Sequence, residues 1–271
     1  MRYVAPAREA VDPSVFALAP LNGWLDYADW LHGVEWPLID ELNARWPINA
    51  RERFVAQTRE LLDDGLHYEE RIAQRGLIAT REANWHDLFN AMIWLRYPQL
   101  KRALNRQQVA DVASFGRRER SRAQYAQTHF DEAGVIVTLK DPSLLELWDR
   151  HDWHALFWQR RAAWMDGSIL MHVFGHALLE HALMPSKLLV GKALVVMADS
   201  QAHGEESVSC CANAIVDGRW LRDPLELRPL PLSGIPGWHV ANVDETFHRA
   251  AACYQPLREG RSYPAPLRLS R

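Results

Sequence analysis

Residues 168–183 have the sequence SILMHVFGHALLEHAL, and this stretch decides the fold because it is compatible with two different structures. As one continuous helix, it would place His172, His176 and Glu180 on a single face at successive steps of four residues. Such a face has the residue types that a metal ion accepts. As a strand followed by a helix, the stretch would break near Gly175, and His172 would leave that face.

The residue types of the first half favour the strand. Ile169 and Val173 are β-branched, and a glycine stands on either side of this apolar run. We therefore predict a strand over 168–174 and a helix that begins directly after it.

Two other short segments have the same character. GVIVTL (134–139) and KALVVMA (192–198) are apolar and rich in β-branched residues, which is typical of buried strands. Helical sequence lies between each strand and the next. This alternation predicts a small, mostly parallel β-sheet of about three strands with crossover helices. The expected fold class is α+β, a helix-rich single domain built around that sheet.

The domain organisation follows from the length and from the absence of repeats. A chain of 271 residues can bury a sizeable core, and no internal repeat or low-complexity segment divides it. We expect one domain over 1–271. Within it, 1–83 is predicted to be a helical N-terminal part, with two amphipathic helical segments in 50–76, followed by the core at 84–258 and a tail at 259–271.

Composition limits the classes of partner. The net charge of -3 gives no general attraction to nucleic acid or to anionic membranes. No run of about 18 apolar residues is present, so no membrane span is expected. Three cysteines, two of them adjacent, make a poor disulfide framework and favour the cytoplasm. We therefore expect a small-molecule substrate or ligand as the partner, and the sequence does not indicate the oligomeric state.

NWHDLFNAMIWLRYP (84–98) is the best-formed predicted helix. Asn84 is a good N-cap, and Asp87 stands at the third helical position, where a carboxylate can meet free N–H groups and the helix dipole. We predict that Asp87 serves to start the helix. His86 and Asn90 form a narrow polar stripe on another face, and polar groups on a buried helix need partners.

Five blocks in the core carry a family resemblance. They are NWHDLFNAMIWLRYPQLKRALN (84–105), FDEAGVIV (130–137), VFGHALLEHAL (173–183), GKALVV (191–196) and LPLSGIPGWHVANVDETF (230–247). Together they resemble a proteobacterial family catalogued as domain-of-unknown-function family 3025, whose name implies no activity. The resemblance implies that seven polar residues lie in recognisable motifs: His86, Asp87, Asn90, Asp131, Glu132, His176 and Glu180. An apolar residue is usual in that family at the position of His172, which also favours the strand.

Two functional hypotheses follow, and the first is a hydrolase-like enzyme. His86 and Asn90 on one helix would meet His176 on another. Glu180 would hold the His176 ring, and Asp131 or Asp199 would complete the site. A divalent metal bound by His86, His176 and Glu180 would polarise a substrate or activate water. Without a metal, His176 would act as the general base.

The second hypothesis is a non-catalytic protein. In it the same polar residues form a buried hydrogen-bond network, and the tryptophan-rich surface or the loop LPLSGIPGW (230–238) binds a partner or a ligand. The two hypotheses differ in whether the side chains of His86 and His176 converge on one solvent-reachable pocket.

Overall fold

A computed structural model describes residues 3–115, 120–199 and 204–269. The α-helices are α1 (Ala28–His32), α2 (Ile39–Ala44), α3 (Arg59–Leu62), α4 (Tyr68–Arg75), α5 (Trp85–Arg96), α6 (Pro98–Phe115), α7 (Arg122–Ala133), α8 (Pro142–Asp149), α9 (His176–Ala182), α10 (Gly204–Val216) and α11 (Glu245–Ala250). The strands are β1 (Arg53–Ala56), β2 (Leu77–Thr80), β3 (Gly134–Leu139), β4 (Ile169–Val173), β5 (Val190–Met197), β6 (Arg228–Pro231) and β7 (Leu267–Arg268). Within the described residues, no helix combines the length and the apolar character needed to cross a membrane.

The stretch that decides the fold is a strand followed by a helix. β4 ends at Val173, and α9 begins at His176 after a two-residue connection. The predicted strand is therefore confirmed. His172 therefore lies on β4 and not on the helical face that carries His176 and Glu180. Its Nδ1 atom lies 3.3 Å from the hydroxyl of Tyr97.

The larger sheet has five strands and mixed direction. Its order is β4-β3-β5-β6, and β7 pairs with one end of β5. β3 and β5 are parallel, whereas β4 runs antiparallel to β3 and β6 antiparallel to β5. The α+β class is confirmed, but the prediction of a mostly parallel sheet of about three strands is wrong. All six residues of β3 are buried, and such apolar runs indicate burial on both faces without fixing strand direction.

β6 was not predicted because it contains two prolines, Pro229 and Pro231. The segment lies at the edge of the strand order, where a missing backbone N–H is tolerated.

The N-terminal part contains a second sheet. β1 and β2 are parallel and in register, with buried Phe54 opposite buried Ile78, and α3 and α4 connect them. The N-terminal part over 1–83, which we predicted to be helical, therefore also contains two strands. Each strand has only four residues, which is too short for a clear period-two pattern in the sequence. The two predicted helical segments of 50–76 are present as the shorter α3 and α4.

Helix packing against the larger sheet positions the candidate site. α7 packs on β3, β5 and α9, and α5 packs on α9. The start of α9 is fixed to the start of β3, because the N–H groups of Phe174 and Gly175 both donate to the carbonyl of Gly134, at 2.9 and 2.8 Å. A Cβ atom on Gly175 would lie 2.5 Å from Cα of Ala133. This junction therefore accepts only glycine without a backbone shift.

We predict that Gly175→Ala lowers the free energy of unfolding by about 2–3 kcal/mol, because the added methyl meets backbone atoms that cannot move aside easily. Urea denaturation would measure the change. Gly23→Ala is the matched control, since a Cβ at Gly23 meets no atom within 4 Å, and its effect should stay within about 0.5 kcal/mol. Equal stabilities of the two variants would contradict the close approach at Gly175.

Candidate functional site

α5 has its N-cap at Asn84 as predicted, but the Asp87 carboxylate binds a different group from the one that we expected. The Asn84 side chain accepts a hydrogen bond from the backbone N–H of Asp87 at 3.1 Å, so Asn84 is the N-cap. The Asp87 carboxylate accepts instead from the backbone N–H of Arg81 at 2.6 Å and from its guanidinium at 2.7 and 3.0 Å. The prediction that Asp87 itself caps α5 is wrong. It ties the segment after β2 to the first turn of α5.

His86 and His176 meet at the packed ends of α5 and α9. Their Nε2 atoms lie 2.9 Å apart, and the two rings are edge to face with centroids 4.3 Å apart. His176 is 4% exposed, and His86 is partly exposed. The structure therefore brings together the two motifs that the sequence singled out.

Glu180 contacts the imidazole of His86, whereas we predicted that it would hold the imidazole of His176. Its Oε2 atom lies 2.9 Å from Nδ1 of His86, so it orients His86 and not His176. Residues four apart on a helix project side by side, and here the His86 ring contacts both His176 and Glu180. The hydrogen bond to the carboxylate keeps a proton on Nδ1 of His86 and directs Nε2 towards His176.

Glu132 is the carboxylate that completes the group. It lies in the last turn of α7, and its Oε2 atom is 3.6 Å from Nε2 of His176. One ligand atom each from His86, Glu132 and His176 lie within 4.8 Å of one another. The sequence marked Glu132 as part of a family motif but did not select it as a ligand. The end of α7 directly before buried β3 is the signal that places it there.

Asp131 and Asn90 line the same cavity, and their side chains are bonded to groups other than the two imidazoles. Asp131 pairs with the buried ammonium of Lys101 at 2.6 Å. Burial opposes ionisation of Asp131, but the charges of Lys101 and His176 and the hydrogen bond from Lys101 together outweigh it and lower the pKa of the carboxyl. Asn90 donates from Nδ2 to the hydroxyl of Tyr68 at 2.9 Å. The positions of Tyr68 and Lys101 in the sequence do not indicate a role, because neither belongs to a motif that contains His86 or His176.

The cavity has a volume of about 310 Å³ and is lined mainly by polar side chains. His86, Glu132 and His176 contribute to its wall, and Glu180 is not among the lining residues. The three clustered side chains therefore face a space that a small molecule can enter, with Glu180 behind His86.

Burial and neighbouring charges shift the pKa values of the two imidazoles in opposite directions. Burial lowers the pKa of His176 to about 3, although the Asp131 carboxylate opposes this effect. Burial also disfavours the His86 cation, but the hydrogen bond to Glu180 and the charge of Glu132 outweigh it and raise the pKa of His86. Burial raises the pKa of Glu132. In the protein alone, the shared proton therefore stays on His86, which donates from Nε2 to the neutral ring of His176.

The low pKa of His176 predicts acid sensitivity. An unfolded histidine titrates near about 6.5, so below this pH the unfolded chain binds a proton that folded His176 does not bind. The free energy of unfolding should therefore fall as the pH falls from about 6.5 towards 4. In His176→Gln the fall should be shallower, because glutamine binds no proton in the folded or the unfolded chain.

Urea denaturation of chelator-treated protein at a series of pH values would measure these slopes. Identical slopes for the wild type and His176→Gln would contradict a buried neutral imidazole.

Comparison with known proteins identifies a family. The family described as "Protein of unknown function (DUF3025)" matches residues 52–258, and this span includes the β1–β2 unit as well as the predicted core. Neither a search of curated proteins nor a search of solved structures gave a significant match. Since the family match covers most of its length, the chain belongs to the DUF3025 family.

Proposed function

We propose that this protein is a hydrolase that binds one divalent transition-metal ion through His86, Glu132 and His176. The observation that carries the proposal is the approach of these three ligand atoms to within 4.8 Å of one another at the wall of a polar cavity. Two imidazole nitrogens and one carboxylate oxygen are a ligand set used by zinc, iron and manganese.

The distances suit a single ion. Ligand atoms bound at roughly 2.0–2.2 Å from one metal stand roughly 3–3.5 Å apart. The two Nε2 atoms are 2.9 Å apart, and Nε2 of His176 is 3.6 Å from Oε2 of Glu132. The third pair, His86 with Glu132, is within 4.8 Å, so the Glu132 carboxylate would have to move towards His86 when the ion binds.

The environment of the two histidine ligands also supports metal binding. A carboxylate that accepts from Nδ1 of a metal-binding histidine fixes the tautomer and raises the basicity of Nε2. Glu180 has this position behind His86. The low pKa of His176 keeps its ring neutral, as a metal ligand must be. An ion would replace the proton that His86 and His176 share.

Three protein ligands leave a coordination position for water on the cavity side. A metal at such a site lowers the pKa of bound water and polarises a carbonyl, which is the chemistry of metal-dependent hydrolysis. The metal-free alternative is less well supported, because it requires Glu180 to hold His176. Glu180 contacts His86, and each Nε2 atom is occupied by the other.

The proposed substrate is a small polar molecule, because a cavity of about 310 Å³ is at the lower end of the size range of small-molecule sites. We propose a cytoplasmic location, since Cys210, Cys211 and Cys253 are all free thiols.

We predict that protein purified without an affinity tag binds about one equivalent of zinc, manganese or iron. His86→Ala, His176→Ala and Glu132→Gln should abolish stoichiometric binding. Glu180→Gln should weaken it by about 10–100-fold, as loss of a carboxylate behind a ligand does. His129→Gln is the control, because His129 is exposed on the same helix as Glu132 and should leave affinity unchanged. Metal analysis and calorimetric titration would measure these effects.

Activity is tested with the same variants on a panel of small esters and amides. Hydrolysis should disappear on chelation, return on addition of metal, and be absent in the three ligand variants. Folded wild-type protein that binds no metal stoichiometrically would overturn the proposal and favour a non-catalytic network.

A further inference from the structure

The cavity wall beside the proposed metal site carries a hydrogen-bonding pair that the chain itself does not saturate. Tyr68 is the first residue of α4, and Asn90 lies one turn after His86 on α5. The two are linked by the hydrogen bond from Asn90 Nδ2 to the Tyr68 hydroxyl, and both line the cavity. Because Asn90 follows a proposed metal ligand by one turn, the pair is adjacent to the proposed site of chemistry.

Asn90 offers an acceptor. Its Oδ1 atom is buried and accepts no hydrogen bond from the part of the chain that the structure describes. A buried acceptor without a partner is unfavourable, so its retention in a cavity wall points to a donor on a bound molecule.

Tyr68 offers a donor. Its hydroxyl oxygen accepts from Asn90, and within the described residues the hydroxyl proton is donated to no side chain or carbonyl. Burial raises the pKa of Tyr68, so the hydroxyl keeps this proton near neutral pH. The pair therefore presents one O–H donor and one carbonyl acceptor side by side.

Two of the three Lys and Arg side chains that line the cavity already have carboxylate partners, and the third, Arg120, is exposed. The guanidinium of Arg81 is bound by Asp87, and the ammonium of Lys101 is bound by Asp131. An anionic substrate would have to compete with these carboxylates. An uncharged group with a C=O and an N–H next to each other would satisfy the Tyr68–Asn90 pair without such competition.

We infer that the substrate is a carboxamide, with its carbonyl oxygen accepting from Tyr68 and its N–H donating to Asn90 Oδ1. This inference rests on the proposed function, since the reaction would be hydrolysis at the metal. Water adds to the carbonyl carbon and the C–N bond breaks. The carboxylic acid keeps the hydroxyl, and the leaving amine takes the remaining proton. Tyr68 would stabilise negative charge on the carbonyl oxygen as it develops.

The test compares three probes of similar size on zinc-loaded protein: benzamide, methyl benzoate and benzoate. Methyl benzoate keeps the carbonyl oxygen but lacks the N–H, and benzoate is anionic. The wild type should bind benzamide about tenfold more tightly than either of the others, since one matched hydrogen bond is worth up to about that factor. Calorimetry or NMR titration would measure the three dissociation constants.

Two variants separate recognition from folding. Asn90→Leu should remove the preference for benzamide over methyl benzoate, whereas Tyr68→Phe should weaken both of these carbonyl probes by about tenfold. Both variants should still bind zinc like the wild type. Thr128→Val is the control, because Thr128 lines the same cavity but already donates its hydroxyl proton to the carbonyl of Gln124.

Each outcome decides one proposal. A wild type that binds zinc but does not prefer benzamide would overturn the carboxamide inference and leave the metal site standing. A preference that survives in Asn90→Leu would also overturn it. A protein that prefers benzamide through Asn90 but binds no metal would keep the recognition and refute the hydrolysis.

Discussion

The structure depends on one backbone contact, in which the carbonyl of Gly134 accepts from the N–H groups of both Phe174 and Gly175. It joins the start of β3 to the connection between β4 and α9. Glu132 lies two residues before Gly134, and His176 is the first residue after Gly175. The contact thus brings together two side chains that are far apart in sequence. Once α5 packs on α9, the His86 imidazole lies beside His176 and Glu180.

The sequence was most informative where one element determined its own structure. The buried strands at 134–139 and 168–174 and the N-cap at Asn84 follow from local residue types, and they are present in the structure. Strand direction was not predictable, because burial of β4 is similar whichever way it runs beside β3. The same holds for the pairing of β1 with β2, which depends on a contact between short segments about twenty residues apart.

The candidate site, too, was predictable from the sequence only in part. Burial requires partners for His86 and His176, and this requirement predicted that the two would meet. It did not determine which carboxylate would contact which ring. Glu180 follows His176 by one turn, so helical spacing suggested that the two would interact; the ring inserted from α5 takes the carboxylate instead. Glu132 reaches His176 only through the packing of α7 on α9, which no spacing along the chain records.

Tyr68 comes from a different part of the chain from the three clustered side chains. The clustered side chains His86, Glu132 and His176 belong to α5, α7 and α9, whereas Tyr68 is carried by α4, within the connection between β1 and β2. That unit is anchored to α6 by the two hydrogen bonds between Glu52 and Arg102. A substitution at Tyr68 would therefore alter the cavity wall without replacing any of the three clustered side chains. Under the proposed function, ligand preference would then change while the three metal ligands stayed the same.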